Sequence, residues 1–223
     1  MSSQHKMRLP VSEWGKFNPA VKDRVRKGFI FDSAIYAAAG QDQLVMCISP
    51  AGAQLNDNSR VKTEADTNLF TAGTLSNNQK MLVTSIQVLF FPSTLNAHAE
   101  ADAGISATTN KSRINDIAAF YESGLLHLAL KGNDIVKDGP LMLFPPCTHI
   151  DGHVAMTGTD IDNNRTVEFA TVKGNAYPIE PFEWNGGESI TAKLLWPNGK
   201  VALPSGLGGR VQIRLFGDIA EIR

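Results

Sequence analysis

From residue 29 onward the chain repeats one pattern: short runs in which apolar and polar residues alternate, each closed by glycine, proline or asparagine. A side-chain period of two is that of a strand with one face buried, and it excludes a helical bundle. Ile190, Ala192, Leu194 and Trp196 alternate with Thr191, Lys193 and Leu195; Val211, Ile213 and Leu215 alternate with Gln212, Arg214 and Phe216; Val167 and Phe169 alternate with Thr166 and Glu168. In 81–91, strict alternation puts Leu82, Ile86, Val88 and Phe90 on one face. Val83, Leu89 and Phe91 fall on the other, so this strand is expected to be covered on both sides. Shorter strands are expected at 29–36, 44–49, 125–131, 141–144 and 179–184, about nine in all once the turns at Asn185-Gly186-Gly187, Asn198-Gly199 and Pro204-Ser205-Gly206 are counted as breaks.

One helix is predicted. Ser112 is placed to cap it, Ile114, Ile117, Ala118 and Tyr121 form its stripe, and Gly124 stands where a terminating glycine belongs. Residues 50–67 and 96–110 read as long loops. No repeat, low-complexity tract or interdomain linker divides the chain. The pattern predicts an all-β fold: a single jelly-roll β-sandwich of about eight antiparallel strands, with one short helix and an extended N-terminal arm. An immunoglobulin-like sandwich usually carries a Cys…Trp…Cys spacing that is missing here. The long loops also break the regular meander of a lipocalin-type barrel. The expected division is a basic arm, 1–28, and a sandwich domain, 29–223.

Charge supports that division. The formal net charge is only −1. Yet 1–28 holds Lys6, Arg8, Lys16, Lys22, Arg24, Arg26 and Lys27 against Glu13 and Asp23, a surplus of five positive charges, which leaves six net negative charges on the rest. Near-neutrality argues against a protein that coats nucleic acid with its whole surface, whereas the arm alone is able to touch nucleic acid, anionic lipid or an acidic neighbour. Trp14, Phe17, Pro10 and Pro19 make it more than a charged tail. Lys16, Lys22, Arg24, Arg26, Lys27, Trp14 and Phe17 are therefore its candidate contact residues. Cys47 and Cys147 are too few for a disulfide framework and, paired or free, fit a reducing compartment, with a single bridge as the alternative. The N-terminus lacks the apolar core of a signal peptide, and no apolar run approaches the roughly 20 residues of a membrane-spanning helix.

Chemistry is sparse. Cys147, His149, Asp151 and His153 alternate within seven residues and, in an extended segment, share a face, with His127 as the nearest further ligand. That makes Cys147, His149 and His153 candidates for a cupin-like metal site, against a plainer reading as a polar-faced loop or edge strand. There is no GxSxG elbow, no GxxxxGK[ST] loop, and no GxGxxG after a strand; Gly206-Leu207-Gly208-Gly209 joins two strands without a helix to receive phosphate. Glu180, Glu183, Glu188, Asp218 and Glu221 read as solvent-facing strand residues. His5 and His98 are isolated. Trp184 and Trp196 flank an expected hairpin, where core packing competes with a sugar-stacking role in a carbohydrate-binding or host-attachment module. No catalytic residue and no cofactor is expected.

The C-terminal third carries the most specific pattern. Pro178-Ile179-Glu180-Pro181-Phe182-Glu183-Trp184 is followed by Gly187-Glu188-Ser189-Ile190 entering a strand, and the chain closes on Arg214-Leu215-Phe216-Gly217. Together with Leu69-Phe70-Thr71-Ala72-Gly73-Thr74-Leu75 leading into the long strand from Met81, this resembles the jelly-roll capsid proteins of tailless, often membrane-containing bacteriophages. The resemblance covers 29–223 and implies a virion subunit that is not an enzyme. It implies self-assembly into an icosahedral shell, as trimers or pseudo-hexameric capsomers, beside other capsid proteins. The arm would face genome or internal membrane. At 223 residues the chain holds one jelly roll where larger members hold two.

Overall fold

The computed structural model describes residues 25–91, 116–144, 148–156, 165–173 and 176–221, with the backbone alone described for 148–156 and 165–173. Among the described residues there are ten strands: β1 (Val25–Tyr36), β2 (Gln43–Met46), β3 (Gln79–Phe91), β4 (Leu125–Leu130), β5 (Asn133–Pro140), β6 (Thr148–Met156), β7 (Arg165–Lys173), β8 (Tyr177–Asn185), β9 (Ile190–Leu195) and β10 (Gly209–Glu221). A helix, α1, covers 116–123. Two four-stranded antiparallel sheets result, one ordered β1-β10-β3-β8 and the other β2-β9-β4-β5, and β6 pairs with β7 as a separate hairpin. With that hairpin set aside, successive strands change sheet at every step except the β4–β5 turn, and the first strand pairs with the last. This is the wrapped order of a jelly roll.

The interior explains why these sequences alternate. Ile30, Ala34 and Tyr36 of β1, Val211, Ile213 and Leu215 of β10, and Ile86, Val88 and Phe90 of β3 meet Leu126, Leu128, Ile190, Ala192 and Leu194 of the second sheet in one core. Helix α1 plugs one end. Phe120 stacks on Phe90 at 4.8 Å between ring centroids and meets Tyr36 edge-on at 5.6 Å. The Tyr121 hydroxyl donates to the Val88 carbonyl at 2.7 Å, and the Asp116 carboxylate accepts from the Ser205 hydroxyl and backbone N–H. Ser112 and Ile114, its expected cap and first stripe residue, lie outside the described residues.

Three sequence expectations shift. Strand β3 does not alternate strictly: its register against β10 slips between Phe216 and Gly217, and Thr84 is the unpaired residue. The bulge changes the phase, so Met81 and Val83 join Ile86, Val88 and Phe90 in the core while Leu82 turns to the other face. Gly217 makes the bulge possible, since a Cβ there would run into the Leu82 carbonyl. Residues 141–144, expected as a strand, form a 3-10 turn over Leu141–Leu143, hemmed by Pro140 on one side and Pro145 on the other. Strand β1 begins at Val25, so Arg26 and Lys27, assigned by sequence to the arm, belong to the sandwich. Among the described residues no helix is long and apolar enough to cross a membrane.

Candidate functional site

The structure places the sequence-derived candidates unevenly. Trp14, Lys16, Phe17, Lys22, Arg24 and Cys147 lie outside the described residues. His149 and His153 are alternate members of β6, opposite Val172 and Glu168 of β7. His127 is on β4, where Nε2 lies 3.0 Å from Asp134 and Nδ1 3.9 Å from Asp138, both on β5. Among the described residues no group of three or more His, Cys, Asp or Glu side chains is arranged to hold a metal. Trp184 and Trp196 are both core residues, and the Trp184 indole N–H donates to the Glu188 carbonyl at 2.8 Å. Their packing role prevails over sugar stacking.

Polar residues concentrate instead around loop 47–78, which links β2 to β3 along the free edge of β1. Asp32 lies on the core-facing side of β1, between Ile30 and Ala34, and is fully buried. Lys62 from the loop reaches in to place Nζ 2.7 Å from one Asp32 oxygen, and the Cys47 backbone N–H donates to the other at 2.7 Å. Burial drives the Asp32 carboxyl above its usual range, and Lys62, Cys47 and Thr67 only partly offset it. The same burial, reinforced by Asp32, pushes the Cys47 thiol well up and leaves it unreactive.

A second buried acid organises the rest of the loop. Asp66 accepts from Arg60 Nη2 at 2.7 Å and from the Thr63 backbone at 2.9 Å, and Arg210 of β10 stands 3.8 Å away. Burial alone would raise the Asp66 carboxyl; Arg60 and Thr63 outweigh it and hold it below the usual carboxylate range. So fastened, the loop lays two carboxamides on the β1 edge. Asn68 accepts from the Phe31 N–H at 2.8 Å and donates to the Phe29 carbonyl at 2.8 Å. Asn56 accepts from the Ile35 N–H at 2.7 Å and donates to its carbonyl at 2.8 Å. Each asparagine thus stands in for one residue of a neighbouring strand, which blocks that stretch of edge to another chain.

The sequence indicated cover on both sides of the strand at 81–91; on the outer face of the β1-β10-β3-β8 sheet Leu82 is buried and Leu89 and Phe91 are half-buried, with polar groups at the centre. Ser33, Gln87 and Gln212 are buried there, and the Gln212 amide donates to the Ser33 hydroxyl at 3.0 Å while accepting from Arg214 Nε at 2.6 Å. The Arg210 guanidinium lies over the Phe91 ring at 4.5 Å and that of Arg214 near the Phe29 ring at 5.9 Å. With Phe31 these residues line a shallow depression of about 350 Å³. The depression therefore presents aromatic ring faces beside two oriented guanidiniums. Sequence reading registered Gln212 and Arg214 only as the residues that alternate with Val211, Ile213 and Leu215. The available signal for the buried pair was Asp32 itself, a charge in the middle of an otherwise apolar face.

Compared with protein-family models, curated proteins and solved structures, the chain finds no match.

Proposed function

We propose that the chain is a structural protein, a capsid-type jelly-roll subunit that assembles into a shell through protein–protein contacts. One observation carries the reading: the interior of the roll is occupied by Trp184, Met81, Ile86, Leu126 and Leu128, all fully buried. A cupin-like enzyme needs that interior for its metal ligands and substrate. A packed roll leaves its edges, loops and outer faces to carry function. Large apolar side chains on the surface, Phe70 at 77% exposed and Met142 at 60%, are of the kind that assembly covers. The basic arm has a place in this reading on the genome, an internal membrane or a neighbouring subunit.

Light scattering on the size-exclusion peak, followed by electron micrographs of the same material, tests it. The expected result is a defined homo-oligomer that grows into closed or sheet-like assemblies as concentration rises. A chain that stays monomeric at millimolar concentration refutes it.

A further inference from the structure

The two edges of the sheet ordered β1-β10-β3-β8 carry opposite charge. Strand β1 opens with Val25-Arg26-Lys27-Gly28, two bases and no acid, whereas β8, Tyr177–Asn185, holds Glu180 and Glu183 and no base. Lys27 Nζ, on a side chain 86% exposed, lies 2.8 Å from Asp218, whose side chain is only 15% exposed, and Arg26 stands 3.9 Å from Glu221, with side chains 66% and 49% exposed. The long, exposed Arg26–Glu221 pair is worth little and exchanges partners readily, while the Lys27 ammonium, with three donors on an exposed side chain, has capacity for a second acceptor beside Asp218. In sequence, the segment 16–24 that precedes β1 adds Lys16, Lys22 and Arg24 against Asp23 alone. On β8, Glu180 is exposed and Glu183 half-buried, and no ion pair engages either among the described residues.

The backbone at each edge narrows the type of contact. Asn68 and Asn56 cap β1 from Phe29 to Ile35, and among the described residues nothing caps Val25–Lys27. Pro178 and Pro181 remove two N–H donors from β8, which disfavours extension of the sheet and leaves its side chains to make the contact.

We infer that copies of this chain meet head to tail, the basic start of β1 in one copy, Arg26 and Lys27, lying against Glu180 and Glu183 on the β8 edge of the next. The inference rests on the shell reading and specifies its partner as a second copy. A contact between two different patches is heterologous, so it propagates into a ring or a lattice and does not stop at a symmetric dimer. The arm of the same chain is a rival occupant: the two edges are only three strand spacings apart, about 14 Å, within reach of a 24-residue segment.

The test is a charge swap in the full-length protein, read as the self-association constant by light scattering at low salt. Arg26→Glu/Lys27→Glu makes both edges negative, and Glu180→Lys/Glu183→Lys makes both positive. Each double variant is expected to associate at least about tenfold more weakly than wild type. The quadruple variant is expected to recover wild-type association, because it restores opposite charges at every contact, and an equimolar mixture of the two double variants to associate more tightly than either alone, because unlike copies meet with opposite charges. Circular dichroism melts check the fold; should a reversal unfold the chain, Arg26→Gln/Lys27→Gln replaces it, with the same direction expected. A wild type that assembles while all variants associate equally well overturns this contact, in favour of the intrachain arm or another surface, and leaves the shell reading standing. A wild type that never associates overturns both.

Discussion

Replacing Lys62 with methionine tests how the β2–β3 loop is held. The substitution keeps most of the side chain's volume but strips the counter-ion from a fully buried carboxylate, leaving Asp32 with the Cys47 N–H and Thr67. Breaking such a pair from one side costs about 3–5 kcal/mol. Asp32 has one escape, which is to take up a proton. From an unfolded-state pKa of about 3.9, each pH unit above it adds about 1.4 kcal/mol to that route, so protonation caps the penalty near 4 kcal/mol at pH 7 and near 1.5 kcal/mol at pH 5. The sign follows from a raised folded-state pKa: the folded chain binds the proton more tightly, so the variant gains relative stability as pH falls toward the unfolded value. Urea unfolding of Lys62→Met and wild type at the two pH values measures the difference, provided the denaturant slope is unchanged. The Asp32→Asn/Lys62→Met double variant, with neutral groups on both sides, should lose only about 1–2 kcal/mol at either pH. A single-variant loss that is the same at pH 5 and pH 7 would mean that Asp32 is not the stranded charge, and the account of the loop would fail.

Two further outcomes follow from the same geometry. Gly217→Ala puts a methyl group into the Leu82 carbonyl and must undo the β3 bulge, for a loss of about 1–3 kcal/mol, whereas at Gly28 the obstacle is only the Ile219 Cδ1 at 2.7 Å, the movable end of a side chain. Thermal melts should therefore rank Gly217→Ala well below Gly28→Ala, and equal melting temperatures would discount the bulge. Asp66, held below the usual carboxylate range, contributes stability above its unfolded pKa of about 4 that is lost as pH falls through its folded value. Limited proteolysis should therefore cut 47–78 faster at pH 3 than at pH 6, and Asp66→Asn should remove most of that difference.

How much was legible from the chain depended on whether a residue's partner lay close in sequence. Strands β9 and β10 announced themselves because one face of each is uniformly apolar. Strand β5 did not: Asn133-Asp134-Ile135-Val136-Lys137-Asp138-Gly139-Pro140 has the composition of a turn. It is an edge strand with irregular register against β4, and Asp138 has a positive φ of 52°. For β3 the alternation was visible but its phase was wrong in the first half, because one extra residue at Thr84 exchanges the faces. Asn56 fell inside the expected loop 50–67 and Asn68 just beyond it, and neither stood out, since their partners on β1 are distant in sequence and nothing local marks a carboxamide that will imitate a strand. Arg210, Gln212 and Arg214 had the right period, but whether an alternate face meets water or other groups is decided by segments elsewhere in the chain.

Each of the four edges of the two sandwich sheets is obstructed over part of its length, each in a different way. Asn56 and Asn68 occupy the middle of the β1 edge. Prolines interrupt β8, and the register of β5 breaks at Asp138 and ends at Pro140. Strand β2 is four residues long and stops at Cys47, whose φ of 63° turns the chain away. Open edges on a protein made in quantity join indiscriminately, because backbone pairing carries no sequence information. Edges obstructed this way leave association largely to side chains, which have charge and shape and therefore a preferred partner and register. A subunit proposed to build a shell needs contacts of that kind, weak enough singly to be reversed and corrected and specific enough to close. On this ground the charged ends of β1 and β8, rather than the open backbone of any strand, are where assembly is expected to be controlled.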